Sequence, residues 1–344
     1  MDSKKMGKTL NVGIAYNLKK GAHGEESDDQ EPEPPDSEAE YDDISTVLAI
    51  KAALEAKGCR VTLLEADGQL PSKLAKSRPD IVFNIAEGMG GRGRESQVPA
   101  LLDFYGIPYT GSDSTTLCIA LDKALAKRIL STYRIKTPRY QVIPKDKSKP
   151  VRWSHFPAIV KPNAEGSSKG ISDASVVANR KELLRLLETN FKLYRQDMLV
   201  EEYIAGREFT VGILGNGRDI RVFSPMEICY KKRENGYNIY SYNVKRNFEE
   251  YVSYKCPADI TKETEAKIKE AARKIYEVLS CRDFSRIDFR LSADGEPYFI
   301  EINPLPGLAP GYSDYPMIAQ FNGVDYDALV WGVLESALKR FGMA

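Results

Sequence analysis

The runs Ser285–Leu291 (SRIDFRL) and Tyr298–Asn303 (YFIEIN) alternate polar and apolar residues, with Asp294–Gly295 between them. Asp-Gly supplies the two left-handed positions of a type I′ turn, so the two runs read as one β-hairpin. A two-residue loop there sets Asp288 opposite Glu301 and Arg286 opposite Asn303. Side chains two apart on a strand share a face, so these four polar groups project from one side. Ile287, Phe289, Phe299 and Ile302 supply the other side, and Ile300 falls out of phase. Two carboxylates and an amide oxygen make a hard-oxygen set of the kind Mg²⁺ uses while keeping positions open for phosphate. The bland alternative is a solvent face with one Arg–carboxylate pair. The continuation of Asn303 into Pro304–Leu305–Pro306–Gly307 weighs against a plain surface strand.

A second segment, PAIVKPNAEGSSKGI (157–171), ends an apolar strand in Lys161 and follows it with Glu165–Gly166–Ser167–Ser168–Lys169–Gly170. A lysine after a strand and then a loop of free N–H groups can hold polyphosphate by charge and backbone. It is not a Walker loop, because GxxxxGK[ST] is absent; an ordinary glycine turn is the competing reading. A third segment, LVEEYIAGRE (199–208), offers strand-edge hydrogen bonds and carboxylates suited to a purine and a ribose. Lys123 in LDKALAK reads equally well as an exposed helical lysine.

Hydrophobic periodicity outlines the elements that carry these residues. Strands at 10–16, 59–66, 80–87 and 107–112 with helices at 44–57 and 95–106 predict a parallel-sheet domain over 1–118. Helices at 121–133 and 180–190 with strands at 157–162 and 198–204 predict a second unit, 119–208. A strand at 209–216, a helix at 261–279, the hairpin and a helix at 325–340 predict a third, 209–344. Residues 25–43 interrupt the first unit with eleven Asp or Glu, no Lys or Arg, and prolines at 32, 34 and 35. That is the composition of a solvated insertion.

Composition narrows the chemistry. Lys plus Arg and Asp plus Glu each number 49 in 344 residues, so the basic excess of a nucleic-acid binder is missing. No run approaches the roughly 20 apolar residues of a membrane span, and the N-terminus does not read as a secretory signal. A cytoplasmic chain is expected. Cys59, Cys118, Cys229, Cys256 and Cys281 are scattered without a CxxC, which excludes a disulfide framework or zinc cluster by spacing. His23 and His155 have no nucleophile at a recognisable offset. Lys, Arg, Asp, Glu and backbone amides must run any reaction.

In order over roughly residues 80–335, VFNIAEG, GIPYTGS, LDKALAKR, IVKPNAEGSSKGI, VEEYIAGREFTVGIL, KCPA, RIDFRL and FIEINPLPG resemble the ATP-grasp superfamily, most closely the D-alanine–D-alanine ligases. The resemblance implies a mixed α/β and α+β chain of ATP-grasp fold: a Rossmann-like N-terminal domain, then two α+β lobes that sandwich the nucleotide. It implies an ATP-dependent carboxylate–amine ligase that forms an amide through an acyl phosphate. The implied cofactors are ATP and two Mg²⁺ ions, with Mn²⁺ as a substitute; the implied partners are amino-acid-like small molecules and a second copy in a homodimer. By the same resemblance Lys123 and Lys161 touch ATP phosphates, and Glu165, Ser167 and Ser168 belong to the loop over them. Glu201, Glu202, Tyr203 and Ile204 form the adenine-contacting strand, and Glu208 is the ribose carboxylate. Lys245 lies near the γ-phosphate and, with Ser168, joins the catalytic groups. Asp288, Glu301 and Asn303 bind Mg²⁺, while Arg286 and the Gly307 amide hold the oxyanion.

Departures from the family concentrate on its amino-acid side. Tyr41, flanked by Glu40 and Asp42, stands where the family has a His–Glu pair whose glutamate engages the first substrate's ammonium. Ala86–Glu87–Gly88 replaces Leu-His-Gly. Anchored on Gln97, Gly91–Arg92–Gly93 replaces Gly-Glu-Asp, so a His/Glu couple reads as Glu87/Arg92. Arg246 replaces a tyrosine, and near the second-substrate carboxylate Ser313 is kept while Asp314 replaces a leucine. On this reading Arg92 and Arg246 suit a substrate with an extra anionic group, and Asp314 a polar or cationic nucleophile. The expected function is a ligase with altered amino-acid or metabolite substrates. A genuine D-alanine–D-alanine ligase of peptidoglycan synthesis is the second reading, and a catalytically silent nucleotide-binding scaffold the third.

Overall fold

Residues 9–19, 40–166, 171, 175–231 and 236–344 are described by a computed structural model. Most of the acidic insertion, along with Ser167 and Ser168, lies outside them. Buried strands read as continuous apolar runs, and the first sheet follows that rule: β1 (Asn11–Tyr16), β2 (Arg60–Glu65) and β3 (Ile81–Asn84) pair in parallel in the order β2-β1-β3. Helix α1 (Ile44–Ala56) covers one face; α2 (Leu70–Ser77) and α3 (Gln97–Tyr105) cover the other. The strand expected at 107–112 shrinks to one bridge between Val82 and Tyr109. Pro108 has no N–H to extend a ladder, and Gly111 turns the chain away at φ 89°.

Helices α4 (Ser114–Leu121) and α5 (Lys123–Thr132) follow. An antiparallel sheet in the order β4-β7-β5-β6 comes next, from β4 (Tyr140–Ile143), β5 (Ala158–Pro162), β6 (Val176–Val177) and β7 (Met198–Glu202), backed by α6 (Arg180–Tyr194). The last sheet is antiparallel and six-stranded. It runs β11-β10-β8-β12-β13, with β9 on β8. Its members are β8 (Arg207–Leu214), β9 (Arg221–Val222), β10 (Met226–Tyr230), β11 (Val252–Lys255), β12 (Phe284–Leu291) and β13 (Pro297–Asn303). Short helices α7 (Tyr242–Arg246) and α8 (Phe248–Tyr251) precede β11. The long α9 (Lys262–Val278) precedes β12, and α10 (Asp314–Phe321) and α11 (Tyr326–Arg340) close the chain. Among the described residues no helix is long and apolar enough to cross a membrane.

Packing crosses the boundaries that the pattern suggests. Val12, Ile14, Val47 and Phe83 of the first unit share one apolar cluster with Phe284, Tyr315, Val330 and Leu334. Leu130 of α5 packs with the last sheet instead of the middle one.

The hairpin departs from expectation twice, and the two departures cancel. Its turn is a three-residue loop: Ser292 N donates to Glu296 O (3.0 Å), Gly295 N donates to Ser292 O (2.9 Å), and Gly295 alone sits at positive φ. The longer loop slides the register by one through Phe289–Phe299. A bulge at Ile300 slides it back, leaving Asp288 opposite Glu301 and Arg286 opposite Asn303. On the far face Phe209, Val211, Ile287, Phe289, Phe299 and Ile302 bury against Ile268, Ala272 and Ile275 of α9. Phe289→Ala empties the middle of that layer. Urea unfolding is expected to show a loss of about 3–5 kcal/mol.

Candidate active site

The polar face of the last sheet is built in three rungs. Glu208, Arg290 and Tyr298 stand side by side, then Thr210, Asp288 and Glu301, then Gly212, Arg286 and Asn303. Arg286 grips Asp288 through both oxygens (Nε to Oδ1 3.1 Å, Nη2 to Oδ2 3.0 Å) and reaches Asp314 Oδ2 at 3.3 Å. Gly212, beside Arg286, has no room for a side chain: a Cβ there would lie 2.8 Å from Phe223. Burial pushes the Asp288 carboxyl up; Arg286 pulls it down and Glu301 pushes it up again. Glu301 goes the other way. Against the effect of burial, Lys123, Lys161 and Arg286 hold it well below the usual carboxylate range.

Lysines from the facing elements complete the charge pattern. Asp122 caps α5 by accepting from Leu125 N (2.9 Å) and also accepts from Asn163 Nδ2 (2.8 Å), which locks the start of the helix to the end of β5. That clasp places Lys123, whose Nζ lies 3.3 Å from Glu301 Oε2. Lys161 Nζ sits 2.7 Å from Glu201 Oε2, and Lys127 Nζ sits 2.9 Å from Glu201 Oε1. Lys127 is fully buried and also donates to the Ile300 and Phe299 carbonyls (2.7 and 3.2 Å), bracing the bulge. Burial brings it down to about 8 against the pull of Glu201. Sequence reasoning missed Lys127, although its place one helical turn after Lys123 was a usable signal.

Several of these groups meet in one cavity. Lys161, Glu201, Glu208, Lys245, Asp288 and Glu301 line it, with Ile159, Ile204, Ile239 and Ile300 as apolar walls. The out-of-phase Ile300 is thus turned inward by the bulge. Lys245 sits on α7, which Ser241 caps, and burial followed by Arg286 pushes its pKa down. Glu208 accepts from Tyr230 OH (2.6 Å) and Arg290 Nη2 (2.7 Å). Arg290 Nη1 holds the Ile204 carbonyl (3.0 Å), and its guanidinium lies 4.8 Å from the centre of the Tyr203 ring. Strand β7 ends at Glu202, so Tyr203 and Ile204 lie just past it. Among the described residues no three His, Cys, Asp or Glu side chains cluster to hold a metal. The oxygen set is Asp288, Glu301 and the amide of Asn303, whose Oδ1 also accepts from Leu305 N (3.0 Å).

Beside this cavity lies a narrower cleft lined by Glu40, Glu87, Glu95, Lys123, Glu165 and Asn303. Arg94 holds two of these carboxylates. It forms a two-point pair with Glu40 (Nη2 to Oε1 2.5 Å, Nε to Oε2 3.0 Å) and reaches Glu165 Oε2 at 3.2 Å. Gly166 N, at the start of the glycine loop, donates to Glu40 Oε1 (2.6 Å). Burial and then Glu40 push the Glu95 carboxyl up to about 7; burial, Glu95 and Glu40 push Glu87 well above its usual value.

Comparison with known proteins decides the family. Residues 130–335 match the family described as D-ala D-ala ligase C-terminus. A D-alanine–D-alanine ligase of Aquifex aeolicus is 35% identical over 83% of this chain and 92% of its own length. The chain belongs to the D-alanine–D-alanine ligase family. An uncharacterised protein of Sinorhizobium fredii, y4sG, is 31% identical over 85% of this chain and 87% of its own length. A D-alanine–D-alanine ligase structure from Bacillus anthracis, complexed with ATP, superposes with a TM-score of 0.74 at 21% identity, covering 96% of this chain and 98% of that one. The fold is ATP-grasp.

Several departures from the family settle differently from expectation. Arg92 does not couple to Glu87. Its side chain is 71% exposed and pairs with Asp122 (2.5 Å), while Arg94, two residues on, turns inward. Asp314 is 2% exposed and already serves Arg286 and Tyr240 OH (3.1 Å), so it presents no free carboxylate to a cationic nucleophile. Arg246 points to solvent. Ser313 accepts from Ala309 N (3.2 Å), and a Cβ on Gly307 would lie 2.8 Å from Ser313 Oγ, which keeps that backbone bare. Tyr41 OH donates to the Gly88 carbonyl (3.3 Å).

Glu95 gives a pH test. Its folded pKa lies above the ordinary value, so the folded state binds the extra proton and stability falls as pH rises from about 4.5 to 7. Glu95→Gln cannot ionise and escapes that loss. The ligand-free variant is expected to melt above the parent at pH 8, by on the order of 1 kcal/mol or more. The gain is expected to shrink on acidification towards pH 5 in thermal unfolding.

Proposed function

We propose that this ATP-dependent, carbon–nitrogen-bond-forming ligase activates a substrate carboxylate as an acyl phosphate and couples it to an amine, with amino-acid substrates other than D-alanine alone. The observation that carries the reading is the rung on which Asp288 and Glu301 stand together, facing Lys123, Lys161 and Lys245. A carboxylate is a poor electrophile. In the first step its oxygen bonds to the γ-phosphorus of ATP as the bridging P–O bond breaks and ADP leaves. The amine nitrogen then bonds to the acyl carbon and sheds a proton, and phosphate departs with the C–O electron pair.

Each residue role follows from charge and position. Lys123, Lys161 and Lys245 offset phosphate charge as it spreads during transfer. Glu208, held by Tyr230 and Arg290, accepts from a ribose hydroxyl, and the Glu201–Ile204 segment meets the adenine edge. Arg286 and the Gly307 N–H face the oxyanion of the tetrahedral state. Asp288, Glu301 and Asn303 fit Mg²⁺ because two adjacent half-buried carboxylates repel until a cation sits between them; two ions, or Mn²⁺ in their place, would polarise the transferring phosphoryl group. Glu165 and the glycine loop, anchored by Gly166 to Glu40, would exclude water from the acyl phosphate.

The altered-substrate reading is supported by the contrast between a nucleotide side that matches the family and an amino-acid side built on Glu87, Arg94 and Glu95. The relatives' name supports a second reading, synthesis of D-alanyl-D-alanine. Phosphate release measured across a panel of amino acids separates the two. Turnover is expected with amino acids beyond D-alanine; full activity on D-alanine alone would favour the second reading. Asp288→Asn and Glu301→Gln are each expected to cut turnover by about 100-fold or more, and a binding-only scaffold would show no such loss.

A further inference from the structure

The cleft beside the nucleotide cavity carries more negative charge than the chain neutralises. Five carboxylates line it: Glu40, Glu87, Glu95, Glu165 and Glu301. Glu40 and Glu165 are paired with Arg94, and Glu301 with Lys123. Glu87 and Glu95 make no hydrogen bond or ion pair among the described residues. Glu95 is only 7% exposed, yet its carboxylate lines the cleft. A secluded carboxylate without a partner is unfavourable, so buried Glu95 beside half-buried Glu87 marks a place that a positive group from outside would complete.

Among the described residues no cation is spare. Arg94 is committed to Glu40 and Glu165, and Arg92 faces out to Asp122. Lys123 lies between the two cavities, at Glu301. The cleft also borders Glu301 and Asn303 at the reacting end of the nucleotide cavity. A molecule seated there presents its carboxylate where ATP would activate it.

We propose that the carboxylate-donating substrate is a diamino acid, whose two ammonium groups offset the two unpaired carboxylates of Glu87 and Glu95. This rests on the ligase reading above. The charge count selects the class: a neutral amino acid brings one ammonium and leaves a buried carboxylate uncompensated, whereas an acidic one adds to the excess. The raised carboxyls of Glu87 and Glu95 agree, since each is held up partly by the other acids of the cleft.

The test compares diaminobutyrate with its neutral isostere norvaline as sole carboxylate donor, with ATP, Mg²⁺ and an amine acceptor held constant, in both enantiomers. Phosphate release by the intact chain is expected to give a kcat/KM about tenfold or more higher for the diamino acid. Glu87→Gln and Glu95→Gln are expected to collapse that ratio towards unity. The ratio separates charge recognition from a general fault, because a variant that merely misfolds loses both substrates together. Equal or better use of norvaline by the parent overturns the diamino-acid assignment while leaving the ligase reading intact. Should no amino acid support turnover, the ligase reading fails, and calorimetric titration of diaminobutyrate decides the cleft separately. Heat of binding to the parent that Glu95→Gln abolishes upholds its occupant; no heat rejects it.

Discussion

Two carboxylates are held side by side on one rung of an antiparallel sheet, away from bulk water, and that arrangement organises the site. Alternation along β12 and β13 forces it: once Ile287, Phe289 and Ile302 commit to the core, Asp288 and Glu301 have only the other face to occupy. Like charges so placed need cations around them. Arg286 supplies one from the same strand, and Lys123 supplies another from the start of α5. The rest of the architecture delivers those cations and leaves a cavity between them.

The delivery is done by buried polar contacts. Glu201 sits between Lys127 and Lys161, so a strand of the middle sheet and a helix that packs on the last sheet share one carboxylate. Breaking such a pair costs more than forming it gains, because each survivor is left charged in a dry site. Lys127 does a second job by donating to the carbonyls at the bulge, the feature that restores the register of the rung. Asp122 ties the same helix to β5 through its cap and Asn163. These contacts tie the middle sheet, α5 and the last sheet together. The neighbouring cleft instead keeps two carboxylates, Glu87 and Glu95, that no described residue pairs.

Much of the polar face of the last sheet was legible because it depends on strand alternation, which a sequence displays directly. The pairing of Asp288 with Glu301 came out right for a partly wrong reason: the turn holds three residues, and the bulge at Ile300 absorbs the difference. Only the out-of-phase position of Ile300 hinted at it. Lys127 was overlooked because a lysine on an amphipathic helix reads as exposed, and no local pattern reveals a carboxylate fifty or more residues away. The pairing of Arg92 with Glu87 failed for a related reason. Counting from Gln97 fixes position along the chain, but the short 3₁₀ turn Arg94–Ser96 decides which guanidinium points inward. Strands β10 and β11 and helix α10 went unseen because their half-buried faces carry no clean period.

The most direct trial of this account is anomalous scattering from Mn²⁺ in crystals grown with a non-hydrolysable ATP analogue. A peak within coordination distance of Asp288 and Glu301, with the triphosphate reaching Lys161, is the predicted result. Manganese located elsewhere, or a nucleotide lying off the rung, would contradict it.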